Sequence, residues 1–361
     1  MITTISVPPE WLTTSIRYGE MLSDEVGVVL VANVKGRTKP IDDYEGDSII
    51  TEFLSATELD DIVSYFEDAG LYCETLIDED GFLKWLTEER HRFPRRYPIV
   101  YNLAQNGTGP GRLTVVAGLC RLYGIPTVDS DAYTVAIAQH KFHALSLLSH
   151  FGLPVARCWS FTNQGWWPEP PPDGLRLIAK PSFESASIGI SDESVFEMGS
   201  AVGEKLRRLV AAYRQPLTVQ EFIVGFEIEV PVFEAGGPQT LTTIGIELNG
   251  QRDLADRFLT YEQVFSDGYA FYNFADESAS GAEEAMAIAR RAFYGLGLSG
   301  IGRVDFRVGT DGRPLIMEAN CKPHVTKHSG FISALRTVGC SGSDLAKFLV
   351  GSTAERYKLR D

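Results

Sequence analysis

The chain has no pair of cysteines spaced as CxxC, and its five cysteines (Cys73, Cys120, Cys158, Cys321, Cys340) are scattered and odd in number. That argues against a zinc site or a disulfide framework, and a reducing, cytoplasmic setting is expected. No apolar run reaches about 18 residues, so no membrane-spanning helix is expected. The opening stretch MITTISVPPEWLTTS lacks a basic segment followed by an apolar one, and no secretory signal is read there. Positive charge is in deficit: 33 Lys and Arg stand against 48 Asp and Glu, a formal net charge of −15. Such a chain repels phosphate backbones, which argues against nucleic-acid binding, and an anionic substrate would need a local basic pocket. Internal repeats, low-complexity tracts and a Ser-His-Asp or Cys-His nucleophile signature are all missing as well.

What is present reads as α/β. At 361 residues the chain is long for one core, and two or three domains are expected. Residues 26–34 form a continuous β-branched run, the pattern of a buried parallel strand. A helix is predicted over 56–69, and strands over 71–77 and 97–103. The loop AQNGTGPG over 104–111 precedes a predicted helix at 112–123. It is either an anion-binding loop or a plain strand-to-helix turn. A short strand is expected at 125–128. One helix is predicted over 135–151 with Lys141 midway, stopped by Gly152. A proline-rich loop follows at 163–174, then a strand at 175–180 and a helix at 195–213. Strands at 217–223 and 228–233, a long loop at 252–275, and helices at 281–295 and from about 342 to 349 complete the reading.

The segment IGRVDFRVGTDGRPLIMEANCKPHVTKHSGF over 301–331 carries the most chemistry. Two apolar-rich runs flank Thr310-Asp311-Gly312-Arg313, which predicts a β-hairpin. Side chains alternate along a strand, so Arg303 shares a face with Asp305, and Glu318 with Asn320. If those faces meet, three hard oxygen donors and a guanidinium converge, a set suited to Mg²⁺ bridging nucleotide phosphates. The plain alternative is a solvated salt-bridge ladder, which apolar neighbours such as Val304, Phe306 and Ile316 disfavour. Lys180 ends a strand ahead of the small-residue loop 182–191, where backbone N–H groups could approach phosphate oxygens. A serine-rich surface turn is the alternative. Lys141 by itself reads as an amine snorkelling out of an apolar helix and gains meaning only beside Lys180. Glu227, past the strand at 217–223, is either a holder of ribose hydroxyls or a surface acid. His324 and His328 flank the hairpin carboxylates and read as substrate-facing or structural.

Taken in order, these segments resemble the ATP-grasp ligases, and among them the D-alanine–D-alanine ligase type, from about Gly124 to Val350. GIPTVDSDAYTVAIAQHKFHALSLLSHFGLPVARCWSF, IAKPSFESASIGIS, VQEFIVGFEIEV and GRVDF…PLIMEANCKPHVTKHS match the family's motifs for the first ATP lysine, the second lysine and its loop, the adenine and ribose strand, and the magnesium site. The resemblance implies an ATP-grasp fold: an N-terminal α/β domain over 1–136, and two subdomains over 137–224 and 225–361 that sandwich ATP. It implies that Lys141 and Lys180 bind phosphates under the loop of Ser187 and Gly189. Gln220, Glu221 and Ile223 would hold adenine, with Gln220 in place of the usual glutamate, and Glu227 the ribose. Asp305, Glu318 and Asn320 would hold two Mg²⁺ ions, with Mn²⁺ as a substitute. Arg303 would stabilise the developing oxyanion, Ser329 would bind the second substrate's carboxylate, and Arg257 matches the family's ω-loop lysine.

The implied activity joins a small-molecule carboxylate to an amine through an acyl phosphate, releasing ADP and phosphate. No membrane or nucleic-acid partner is implied, and homodimers are common in the family. Departures fall around the substrate. No N-terminal glutamate that grips the first amino group is seen, and Ala186, Phe258, His324 and Gly330 replace a serine, a tyrosine, a glycine and a leucine. The expectation is a retained ATP machinery with a rebuilt first-substrate pocket, acting on amino-acid-like substrates other than D-alanine in natural-product biosynthesis. The alternatives are a D-alanine–D-alanine ligase proper, a glutathione-synthetase-like or carboxylase-type enzyme, and a nucleotide-binding regulator without turnover.

Overall fold

The computed structural model describes residues 7–359 except Gly46 and Asp267. Residues 1–6 of the stretch read for a secretory signal lie outside the described residues. Helix α1 (Glu10–Met21) leads into β1 (Val26–Ala32), all seven of whose residues are buried. A central parallel strand has no wet face, which is why the run is continuously apolar. Helix α2 (Ala56–Asp68) starts with a capping box in which Ser55 and Glu58 satisfy each other's backbone N–H groups. Strand β2 (Tyr72–Ile77), helix α3 (Asp78–Lys84), strand β3 (Tyr97–Leu103) and helix α4 (Val115–Tyr123) complete a parallel sheet of order β2-β1-β3. The strand expected at 125–128 is reduced to a single bridge between Val100 and Thr127.

The helix expected over 135–151 is two helices, α5 (Ala132–Gln139) and α6 (Lys141–His150). They part at His140, whose ψ of 94° is extended. The break frees the Lys141 N–H to bond Ser182 O at 3.1 Å, so Lys141 stands at the start of a helix and not midway along one. Strands β4 (Cys158–Thr162), β5 (Gly165–Trp167), β6 (Arg176–Pro181) and β7 (Val195–Glu197), helix α7 (Val202–Tyr213) and strand β8 (Leu217–Glu221) follow. They build an antiparallel sheet of order β5-β4-β8-β6-β7. Its core packs Leu177, Ala179 and Val219 against Leu206 and Val210 of α7. The expected helix at 195–213 therefore begins late, because Val195 and Phe196 pair with β6 as a strand. The proline-rich loop likewise contains β5.

Strands β9 (Phe226–Glu234), β10 (Pro238–Thr240) and β11 (Ile244–Leu248), helix α8 (Tyr261–Phe265), strand β12 (Tyr269–Asn273), helix α9 (Ala279–Leu296), and strands β13 (Ile301–Val308) and β14 (Pro314–Asn320) form the third unit. Its sheet order is β12-β11-β9-β13-β14, with β10 on β9. The stretch 252–275, expected as loop, thus contributes a helix and an edge strand. This sheet buries Val230, Val304, Phe306 and Ile316 against Leu145, Ala289 and Phe293 of α6 and α9. Helices α10 (Gly330–Thr337) and α11 (Gly342–Tyr357) end the chain, α11 running well past residue 349. They return to the first sheet: Leu12, Val28, Leu30, Phe66, Phe331, Leu335 and Phe348 share one core.

Candidate active site

The predicted hairpin forms, and its register sets Asp305 opposite Glu318 and Arg303 opposite Asn320. The register shifts between Asp305 and Phe306, so the strand bulges beside the cluster. Arg303 grips Asp305 with two bonds, Nε to Oδ1 at 2.7 Å and Nη2 to Oδ2 at 2.8 Å. Asn320 Nδ2 donates to the same Oδ2 at 2.8 Å. Lys141 Nζ reaches from α6 to Glu318 Oε1 at 2.6 Å and is itself buried. The snorkelling alternative for Lys141 is thereby removed. Lys180 is next to last in β6, and its ammonium makes no direct hydrogen bond or ion pair among the described residues.

The electrostatics follow the geometry. Burial alone would raise the Glu318 carboxyl, but Lys141, Lys180 and Arg303 outweigh it and hold its pKa below the ordinary value. Burial opposes the charge on Arg303, yet Asp305 and Glu229 keep its pKa above that of a free arginine. Lys180 is pushed below the ordinary lysine value, first by burial, with Glu318 opposing and Lys141 adding to the shift. An ammonium held in this way gains most from an anion placed beside it.

These groups line one cavity of about 1030 Å³ between the two antiparallel sheets. Lys141, Lys180, Ser187, Ile223, Glu227, Arg303, Asp305, Glu318, Asn320 and Ser329 are on its wall. Gly189, Gln220, Glu221 and Arg257 are not. Gln220 is buried and donates to Met317 O at 3.0 Å, and Glu221 pairs with Arg157 at 2.8 Å. Arg257 Nε turns back to Leu254 O at 3.4 Å. Glu227 pairs with Arg307 at 3.1 Å, and Arg307 also donates to the carbonyls of Ile223, Ala255 and Arg257. His324 contacts Glu58 at 3.3 Å, and the His328 ring lies 5.2 Å from both Tyr269 and Phe271.

The loop 182–191 takes left-handed backbone at Ala186, Ser187 and Gly189. The Gly189 N–H donates to Asp47 Oδ2 at 2.8 Å, so it braces the loop on the N-terminal segment. A Cβ there would approach Pro181 Cγ to 2.5 Å at a φ of +77°. Gly189→Ala is expected to cost about 1–3 kcal/mol, measured by urea unfolding, and to raise the KM for ATP.

Several site residues escape the sequence reading. Arg112 is buried with Glu52 and Glu184, bonding Glu184 through Nη1 at 3.0 Å and Nη2 at 2.9 Å and Glu52 through Nη2 at 2.9 Å. Glu52 Oε1 accepts the Ser185 N–H at 2.7 Å. Burial, and then Glu184, raise the Glu52 carboxyl, while Arg112 opposes them. In the glycine-rich loop before Arg112, the Gln105 and Asn106 N–H groups go to Asn33 and Glu79. No N-terminal glutamate is visible from sequence, yet Glu52 and Glu58 both line the cavity. Glu229 lies beside Arg303, 3.3 Å from Nη1, and burial raises its carboxyl to about 7, against Arg303 and with help from Asp305 and Glu227. One signal for it is available: FEIEV over 226–230 places Glu229 on the Glu227 face of an otherwise apolar strand.

Asp305, Glu318 and Asn320 offer two carboxylates and an amide oxygen, hard donors of the type that hold Mg²⁺ together with substrate phosphates. The opposed register brings the carboxylates together, and Arg303 and Lys141 balance their charge. The donor set therefore fits the ion.

Comparison with known proteins places the chain in a family. Residues 147–351 match the family described as D-ala D-ala ligase C-terminus. The D-alanine–D-alanine ligase of Bordetella pertussis (strain Tohama I) is 30% identical over 243 residues, 66% of this chain and 73% of that protein. That of Mannheimia succiniciproducens is 27% identical over 268 residues, 70% of this chain and 82% of that protein. Among solved structures, the D-alanine–D-alanine ligase of Bacillus anthracis complexed with ATP has a TM-score of 0.67 at 15% identity, covering 93% of this chain and 99% of that one. The VanG D-Ala:D-Ser ligase of Enterococcus faecalis has a TM-score of 0.62 at 17% identity, covering 91% and 99%.

Proposed function

Because the chain belongs to the D-alanine–D-alanine ligase family and is an ATP-dependent C–N ligase of the ATP-grasp fold, we propose that it joins amino-acid-like substrates other than D-alanine through an acyl phosphate. One observation carries the reading: Lys141, Lys180, Arg303, Asp305, Glu318 and Asn320 share a single cavity wall. A module that only binds nucleotide has no need of all six. A natural-product pathway suits a ligase whose substrate-facing positions differ from the dipeptide enzyme while its phosphate- and metal-facing residues Lys141, Lys180, Asp305, Glu318 and Asn320 are kept.

In this reading Lys141 and Lys180 hold the triphosphate, with Glu227 on the ribose and Ile223 at the base. Asp305, Glu318 and Asn320 would hold Mg²⁺, which neutralises and orients the phosphates when bound. The carboxylate oxygen of the first substrate attacks the γ-phosphorus, and the bond to the β-phosphate oxygen breaks, releasing ADP. The amine of the second substrate then attacks the acyl carbon. Arg303 steadies the oxyanion, the carbon–oxygen bond to phosphate breaks, and the amine loses its proton. The segment 252–275, part of the cavity roof through Phe258, Leu259 and Tyr261, keeps water from the acyl phosphate.

Two measurements test the reading. Nucleotide products separated by chromatography are expected to be ADP and phosphate in equal amounts, and AMP with pyrophosphate would point to adenylation instead. Substrate-dependent ADP release over a panel of amino acids, dipeptides and small amines is expected to rank other pairs above D-alanine with D-alanine. The reverse ranking would make the protein a D-alanine–D-alanine ligase proper, a reading that the 30% identical relative also favours.

A further inference from the structure

Resting on that ligase reading, we infer that the attacking amine carries no carboxylate of its own, because Glu229 already fills the place where one would sit. Three features at this end of the cavity would greet a substrate carboxylate: the outer edge of Arg303, the N-terminus of α10, and the Ser329 hydroxyl. Each is taken. Arg303 spends Nε and Nη2 on Asp305, and Nη1 faces Glu229 Oε1 at 3.3 Å. Ser329 caps α10, accepting the Ile332 N–H at 3.2 Å and donating its proton to Thr326 O at 2.7 Å. The other Glu229 oxygen lies against Gly330, the first residue of that helix, where partial positive charge gathers.

The arrangement is built in. Glu229 is only 7% exposed, and its Oε2 has no hydrogen-bond partner among the described residues. A Cβ on residue 330 would fall 2.0 Å from that oxygen, so glycine at 330 leaves room for the observed placement of the Glu229 carboxylate. A second carboxylate brought here would meet the Glu229 side chain in the same volume, with Asp305 and Glu227 close by. An amine without a carboxylate meets neither obstacle, and its ammonium finds an anionic wall. The substrate class is therefore a primary amine or an amino-acid amide, not a free amino acid.

The test uses the full chain with ATP, Mg²⁺ and a panel of donor acids. The acceptors come as matched sets, such as D- and L-alanine, their amides, and ethylamine. ADP release and product mass are read for each. The amine or amide is expected to exceed the free amino acid by about a hundredfold in kcat/KM, the scale on which an occupied pocket rejects a group that clashes with it. Glu229→Ala, which empties the volume, is expected to cut that ratio at least about tenfold, with Glu229→Gln intermediate. Thermal unfolding checks that each variant is folded, and if Glu229→Ala does not fold, the Gln variant carries the comparison. Native enzyme that uses the free amino acid as well as its amide would overturn the inference while leaving the ligase reading intact. So would a ratio unmoved in a folded variant. ADP release stimulated by no acceptor set would remove the ligase reading, and the inference with it.

Discussion

Lys180→Ala is expected to lower ATP turnover by a factor on the order of 10²–10³ without unfolding the protein. Lys180 lies one residue before the end of β6, beside Thr218 of β8, and faces the cavity that holds Lys141, Glu318 and Arg303. Its ammonium has no direct partner among the described residues, so the truncation strands no buried anion there. What goes is a charge aimed at the space between the two sheets. Burial already disfavours that charge, so the folded protein loses little stability with it. The measurement is steady-state ADP release beside a thermal unfolding curve. Full activity in a folded Lys180→Ala protein would take the residue out of the phosphate site. Equal loss of activity and of the unfolding transition would make its role structural.

Arg112→Ala is expected to destabilise the fold by about 3–5 kcal/mol, the usual cost of removing one partner from a buried ion pair. Arg112, Glu52 and Glu184 have side chains 2% exposed or less, and one guanidinium serves both carboxylates. Burial works against the Arg112 charge, but Glu52 and Glu184 together raise its pKa above the ordinary arginine value. Tyr44 at 2.6 Å and Gln215 at 2.9 Å donate to Glu184, so the network also joins the segments around residues 44 and 215. Without Arg112, two carboxylates are left in a dry core. Urea unfolding measures the loss, and a change under about 1 kcal/mol would show that water or protonation relieves the pair. Restoration of most of the loss in Arg112→Met combined with Glu52→Gln and Glu184→Gln would assign it to stranded charge and not to packing. The same network ties the N-terminal segment to the loop over Lys180, so the KM for ATP is expected to rise with the instability.

Much of the site is legible in the order of the residues. The hairpin carries its own turn signal, and alternation along two strands is enough to put Arg303, Asp305, Glu318 and Asn320 on shared faces. The buried strand at 26–34 and the helix over 56–69 are equally plain, because a β-branched run and a capped amphipathic stretch are local patterns. Lys141 is legible as a residue but not as a geometry. The break at His140 accompanies a bond from the Lys141 N–H to Ser182 across the fold, which helical spacing does not record. The strands at 195–197 and 269–273 stay hidden for a similar reason: each is short, and each exists through pairing with a neighbour. Glu52 and Arg112 give no pattern at all, since 60 residues separate them and only burial makes them partners.

Residue order alone determined that Arg303 shares a face with Asp305 and Glu318 with Asn320 on one hairpin, because those groups lie on elements whose periodicity is local. The folded chain alone decided what surrounds them. It set Glu229 against Arg303 and Gly330, it bridged the amino-terminal segment to the loop past Lys180, and it packed the first and last helices into one core. These contacts join residues far apart along the backbone. Their energies come from exclusion of water and from charge held in a low-dielectric interior, neither of which exists until the sheets have closed.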